Sequence, residues 1–269
     1  MGELNIPFEQ QAYEIEDLWK EENISEADIE RVKYLAKLIP QDVKSILDVG
    51  CGGGIFINYL QQNYNFRRIC GVDRAMAALK YVKTENKAAN IEKLPFNNGE
   101  FDMVTCLEVL EHLLPDVYEK ALRELCRVSK KYVLICVPNN QVLEDSLLPC
   151  PVCYTNFNPD YHMRSFNSES MINLFKNYNF SCMDIFYILE TQEYIGFKYI
   201  LKLRKHEEKK IPWYAICPVC GYRGDLCFPK EQTNKLSYDN FFKKFLKKRW
   251  PKRIKYRWIA GLYVKQIEK

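Results

Sequence analysis

Between residues 41 and 190, short apolar runs alternate with stretches whose apolar residues recur every three or four positions. The runs 45–49 (SILDV), 67–73 (RRICGVD), 101–107 (FDMVTCL) and 131–137 (KYVLICV) have the length and composition of buried strands. The intervening 54–63, 75–84 and 116–129 have helical spacing. Strands that are apolar on both faces and separated by helices predict a parallel sheet covered on both sides. Pro138-Asn139-Asn140 closes the fourth strand. Ahead of this core, residues 8–39 read as two helices. Phe8, Ala12, Ile15, Leu18 and Trp19 mark the first. Ser25 with Asp28 caps the second, Ile29, Val32, Leu35, Ala36 and Ile39 form its stripe, and Pro40 ends it.

Beyond residue 140 the period fails. It returns as a helix over 167–178, capped by Asn167 or Ser168, with Met171, Ile172, Leu174 and Phe175 facing inward, and then as a strand over 181–189. No clear pattern covers 191–240. A short basic amphipathic helix is predicted over 241–250 and a last strand over 256–265. The expected organisation is an N-terminal helical segment (1–40), a core (41–190) with an insertion at about 141–166, a second insertion (191–255), and a final core strand (256–269).

The first strand runs into D-x-G-x-G-x-G: Asp48, Gly50, Gly52, Gly54. Glycines between a strand and a helix let the backbone approach a ligand closely. The dinucleotide pattern G-x-G-x-x-G fails, because Ile55 and Ile57 occupy its last position, and no phosphate-loop Gly-Lys-Ser/Thr follows. Strand two ends in GVDRA, with Asp73 placed 25 residues after Asp48. LPFNNGEFDMVTCLEVLEHL (94–113) and RVSKKYVLICVPN (127–139) follow in order. With these elements, residues 41–190 resemble the class I S-adenosylmethionine-dependent methyltransferases. The resemblance implies a Rossmann-like seven-stranded α/β sheet with helices on both faces and S-adenosylmethionine as cofactor. It implies cofactor contacts from the loop residues Gly50, Cys51, Gly52 and Gly54, and a ribose contact from Asp73, next to Arg74. Asp48 and Glu108 would lie near the cationic end. Where the family often has an adenine-binding Asp four residues before Leu-Pro-Phe, this chain has Asn90, whose side-chain oxygen can accept the same bond, followed by Ile91.

The chain has 11 cysteines. Cys51, Cys70, Cys106, Cys126 and Cys136 fall mostly in apolar segments and read as reduced core thiols. The other signal is CPVC at 150–153 and again at 217–220. Two Cys-x-x-Cys pairs supply the four thiolates of a structural zinc site, here Cys150, Cys153, Cys217 and Cys220. The 63 residues between the pairs exceed the usual ribbon spacing, so the fold must bring them together, as a lid over the cofactor mouth. A redox dithiol, two pairs of ordinary thiols, or separate metal sites using His162, His206 or Cys227 are the other readings.

Methyl transfer to oxygen needs a base. His162, in DYHMRSF, and His112, in EVLEHL, both fall on the ligand side and are the catalytic candidates, with Tyr161 and Arg164 as substrate contacts. His206 sits in a solvated charged run. The expected acceptor is a small molecule or glycan, methylated on oxygen and carried on a lipid in one version. A tRNA or rRNA methyltransferase is the enzymatic alternative. A non-catalytic zinc-binding interaction protein that has kept the fold is the other.

The net charge of +4 arises locally: nine Lys or Arg and no acid lie between Lys243 and Arg257, interleaved with aromatics. The stretch 241–257 suits an anionic membrane surface, suits nucleic acid less well, and is equally satisfied if its aromatics pack on the core. No apolar run is long enough to span a bilayer, and the acidic N-terminus has no signal core. A cytoplasmic protein, peripheral to the inner membrane face if the basic stretch binds there, is expected.

Overall fold

The computed structural model describes residues 8–194, 211–224 and 252–266. His206, Cys227 and the helix expected over 241–250 lie outside them. The sheet forms where the apolar runs stand. Strands β1 (Ser45–Val49), β2 (Arg68–Asp73), β3 (Glu85–Ala88), β4 (Phe101–Leu107) and β5 (Ser129–Pro138) are parallel. Two strands of the minor ladder, β6 (Leu148–Pro149) and β7 (Asn156–Phe157), pair antiparallel. β8 (Phe180–Tyr194) and β9 (Lys252–Lys265) complete the main sheet, β9 running antiparallel to both of its neighbours. The order is β3-β2-β1-β4-β5-β9-β8. Its direction reverses between β1 and β4, so the loops after β1, β2, β4 and β5 share one edge, where open α/β sheets hold ligands.

Helices α1 (Phe8–Tyr13), α2 (Glu26–Ala36), α3 (Ile55–Asn63), α4 (Met76–Leu79), α5 (Pro115–Val128) and α6 (Ser168–Asn173) surround the sheet. On one face Leu47, Phe101, Val104, Leu125, Phe175 and Tyr263 are buried together. On the other, Leu35, Ile46, Phe56, Leu60, Met103 and Trp258 are. Ser25 caps α2 as expected: its hydroxyl accepts the Asp28 N–H while the Asp28 side chain returns to the Ser25 N–H. Among the described residues no helix is long and apolar enough to cross a membrane.

Several expected elements differ. The first N-terminal helix ends at Tyr13, and two short 3-10 turns (Glu16–Trp19 and Glu21–Asn23) replace its second half. The helix expected over 75–84 stops at Leu79. The Asn58 amide donates to the Tyr81 carbonyl and accepts the Lys83 N–H, turning the chain into β3. β3 itself was hidden because ENKA is exposed throughout and has no apolar alternation. α6 covers only the first half of its expected range. β8 and β9 run longer than expected, because each pairs with the other out to Tyr194 and Lys252. Residues 252–257 of the basic stretch thereby become strand.

Candidate active site and cysteine cluster

The loop after β1 is shaped by its second-strand acid. Asp73 accepts the Gly52 N–H at Oδ2 and the Ala75 N–H at Oδ1, both at 2.8 Å. Gly52 has φ +51°, and a Cβ there would meet the Trp19 ring at 2.5 Å, so a side chain is excluded twice over. Trp19 is held in turn by donating its indole N–H to the Tyr13 carbonyl at 2.8 Å. Glu14 accepts the Met76 and Ala77 N–H groups at the start of α4. The N-terminal segment thus roofs a cavity of about 510 Å³.

Gly50, Cys51, Gly52, Asp73, Arg74, Asn90, Ile91 and Glu108 line this cavity. Asp48 and Gly54 do not. Gly54 opens α3 at φ +78°. Asp48 lies beneath the loop, taking the Thr105 hydroxyl at 2.6 Å, and burial pushes its carboxyl up to about 7. The protonated form therefore carries stability that is complete below about pH 4 and lost as pH rises through 7, at most about 4 kcal/mol. Asp48→Asn is expected to raise the unfolding temperature at pH 8 and to have little effect at pH 4, as read by thermal melts at both pH values.

A second cavity of about 650 Å³ adjoins the first, and the two share Tyr13, Leu18, Glu108 and His112. His162, Tyr161, Gln141, Asp160, Tyr214 and Arg257 also line it. Glu108, at the end of β4, takes the left-handed φ of +57°, an uncommon state for glutamate that clusters at functional sites. Its Oε2 accepts from Trp258 Nε1 at 2.7 Å and pairs with Arg31 at 2.9 Å, whereas Oε1 has no hydrogen-bond partner. Burial raises its pKa. Glu111 is 0 % exposed, neither carboxylate oxygen has a hydrogen-bond partner, and burial, then the Glu108 charge, push its pKa well up.

The two histidines meet here. Their ring centres are 4.6 Å apart and nearly perpendicular. His112 Nδ1 is 3.1 Å from the Tyr13 hydroxyl, and burial brings its pKa down to about 3. His162 Nδ1 is 2.5 Å from Gln141 Oε1, an acceptor, so Nδ1 carries the proton and Nε2 the lone pair. Burial lowers the pKa of His162 as well. One ligand atom each from Glu111, His112 and His162 lie within 4.8 Å of one another. Both histidines were sequence candidates. Glu111, Gln141 and Tyr13 were not. Glu111 stands three residues after Glu108 and beside His112 in EVLEHL, and that grouping of two acids and a histidine is the signal that could have found it. Arg164, expected to touch substrate, instead donates to the Leu110 carbonyl at 2.6 Å and stacks on Tyr118.

The two CPVC segments come together. Cys150 and Cys220 sulfurs are 3.6 Å apart, as are Cys153 and Cys217, and all four lie within 4.8 Å of one another. Sulfurs about 2.3 Å from a tetrahedral zinc stand about 3.8 Å apart, so the group has the dimensions zinc takes. The two turns repeat one geometry. Tyr154 and Gly221, each following a second cysteine, have φ +59° and +71°. Their N–H groups donate to the Cys150 and Cys217 carbonyls, both at 3.0 Å. Hydrogen bonds to Thr155 bring Cys153 down to about 6, near the thiolate a metal needs. The second turn grips the acceptor cavity: Tyr161 Oη donates to the Ile216 carbonyl at 3.0 Å and accepts its N–H at 2.7 Å, and Tyr214 donates to Asp160 at 2.8 Å.

The strand order, with a glycine turn and a strand-end acid at the reversal point, is that of a class I S-adenosylmethionine-dependent methyltransferase. A methyltransferase-domain family model matches residues 20–185, and the chain belongs to that family. A SAM-dependent methyltransferase structure from Archaeoglobus fulgidus is similar at TM-score 0.53 and 17% identity, covering 87% of this chain and 93% of that one. One from Methanosarcina mazei is similar at TM-score 0.51 and 14% identity, covering 87% and 98%. Among curated proteins, an uncharacterized Methanocaldococcus jannaschii protein is 35% identical over 38% of this chain and 44% of its own. The ubiquinone biosynthesis O-methyltransferase of Albidiferax ferrireducens is 32% identical over 32% of this chain and 37% of its own. The chain thus spans less than half the length of these curated relatives.

Proposed function

We propose that the protein methylates a hydroxyl of a small-molecule or glycan acceptor seated in the second cavity. The observation that carries this reading is the junction of the two cavities at Tyr13, Leu18, Glu108 and His112. The first cavity fits S-adenosylmethionine, with bare backbone at Gly52 and lone pairs left on Asp73 for ribose hydroxyls. Asn90 offers an adenine contact. When bound, the cofactor supplies an electrophilic methyl group on sulfur. The chain's own work is to place the acceptor oxygen at the junction, exclude water with Tyr13 and Trp19, and draw off the hydroxyl proton at the Glu111–His112–His162 cluster, where His162 Nε2 is the available lone pair. The name of the ubiquinone O-methyltransferase relatives favours oxygen as the atom methylated.

A zinc ion on Cys150, Cys153, Cys217 and Cys220 is the structural part of the proposal. Four thiolates close the coordination sphere, so this metal holds the Tyr161–His162 segment in place and leaves no position for substrate. His162→Ala is expected to lower kcat by about 10²-fold or more while donor affinity stays within about twofold. Calorimetry with S-adenosylmethionine and transfer of labelled methyl to catechol and sugar acceptors measure the two. A variant as fast as the parent would remove His162 from the chemistry.

A further inference from the structure

We propose that Glu111, His112 and His162 bind a divalent metal ion of the oxygen–nitrogen class at the junction of the two cavities, and that the acceptor hydroxyl is a ligand of that ion. This rests on the methyl-transfer reading above and states how its proton-removing cluster works. It is separate from the four-cysteine site.

Glu111 carries the first observation. A fully buried carboxylate with two unpartnered oxygens costs several kcal/mol unless something positive meets it. Arg164, the nearby cation, spends its guanidinium on the Leu110 carbonyl and the Tyr118 ring. The Arg31 guanidinium is engaged by Asp28 and Glu108. The position facing the Glu111 carboxylate belongs to imidazole: His112 Nε2 is 4.0 Å from its Oε1.

The second observation is the support behind the imidazoles. Metal-binding histidines usually have their other nitrogen fixed by a partner. Here His112 Nδ1 meets the Tyr13 hydroxyl, its ring also faces the Asp160 backbone carbonyl, and His162 Nδ1 meets Gln141, which leaves His162 Nε2 available and fixes the plane of both rings. The three ligand atoms lie within 4.8 Å of one another, and bonds of about 2.1 Å meeting at right angles place ligand atoms about 3.0 Å apart, so side-chain rotations that draw them together by about 1–2 Å close the set. Two imidazoles and one carboxylate leave open coordination positions. His112 and His162 both line the acceptor cavity, so those positions are reachable by a substrate oxygen.

The step balances without a redox change. The metal-bound hydroxyl, made more acidic by the cation, gives its proton to cavity water. The oxygen–carbon bond forms as the sulfur–carbon bond breaks, and the sulfonium becomes a neutral thioether. His162 then serves as a ligand and does not take the proton itself: the ion, as a Lewis acid, makes the hydroxyl acidic enough for water to be the base.

The experiment is a titration of the zinc-replete full chain with Mn²⁺ alone, followed by loss of the free-ion electron paramagnetic resonance signal. One Mn²⁺ per chain is expected, with affinity at least tenfold weaker in Glu111→Gln and in His162→Ala. Calorimetric binding of S-adenosylmethionine to each variant shows that it is folded. His162, on a loop and only partly buried, keeps the test open if the Glu111 variant does not fold. Equal Mn²⁺ binding by parent and variants, or none by the parent, overturns the metal site and leaves the methyltransferase reading standing. Normal Mn²⁺ binding with no transfer to any oxygen acceptor overturns the latter instead.

Discussion

Replacing Cys217 and Cys220 together by serine is expected to empty the four-cysteine site of zinc, lower the unfolding temperature by about 6–12 °C, and cut turnover at least tenfold. Donor affinity should change less than about twofold. The thermal figure follows from the loss of roughly 3 kcal/mol in a chain this long. The small cluster of Cys150, Phe157, Ala215 and Cys217 has few other residues to hold it. The kinetic effect travels along a short path. The second CPVC turn fixes Ile216, Ile216 fixes Tyr161 by two hydrogen bonds, and Tyr161 precedes His162. Among the described residues Asp73 and the glycine turn have no hydrogen bond of this kind to the second CPVC turn, so the donor cavity should survive. Atomic absorption, thermal melts and calorimetry read the three effects separately. Zinc content unchanged in the double variant would end the structural-metal proposal, and equal loss of donor affinity and turnover would mean that the two CPVC turns support the whole sheet edge.

How far such a site can be read from sequence depends on where its residues draw their meaning. The parallel sheet was legible because β1, β4 and β5 are apolar on both faces, a pattern that survives any detail of packing. Asp73 was legible because a strand-end acid after a glycine turn has a fixed place in the fold. β3 was not, since four exposed residues at an edge carry no periodic signal. Asp48 read as a pocket residue from its neighbours, yet strand register turns it under the loop onto Thr105. Glu111 was the largest omission. A glutamate after the end of a strand ordinarily faces water, and only the return of the 158–164 segment over it, with Met163 N–H on its carbonyl at 2.8 Å, closes it in. The His112–His162 pair likewise depends on a loop whose path no local pattern encodes. The cysteine pairing was readable because the repeat CPVC announces two halves of one object.

Asp73→Ala is expected to weaken binding of both S-adenosylmethionine and its demethylated product by about 10²-fold, with a much smaller effect on folding. Two terms compete. The carboxylate accepts two backbone N–H groups, and charged acceptors contribute about 1.5–3 kcal/mol each. Burial raises the pKa of the same carboxyl, so the fold gives back part of that gain in desolvation. The stability of the free protein should therefore fall by only about 1–2 kcal/mol. Binding loses more, because ribose hydroxyls brought into a closed cavity would be left without their acceptor, and the Gly52 turn that the acid positions would relax toward Trp19. Asp73→Asn separates the two roles. One oxygen remains to accept a backbone N–H, but the amide nitrogen must face either the other N–H or a ribose hydroxyl, so affinity should stay at least tenfold below the parent although the fold is nearly restored. Calorimetry on parent and both variants, with melts of the free proteins, measures each term. Donor affinity within threefold of the parent in Asp73→Ala would show that this acid serves only the loop, and the assignment of the first cavity to the methyl donor would lose its anchor.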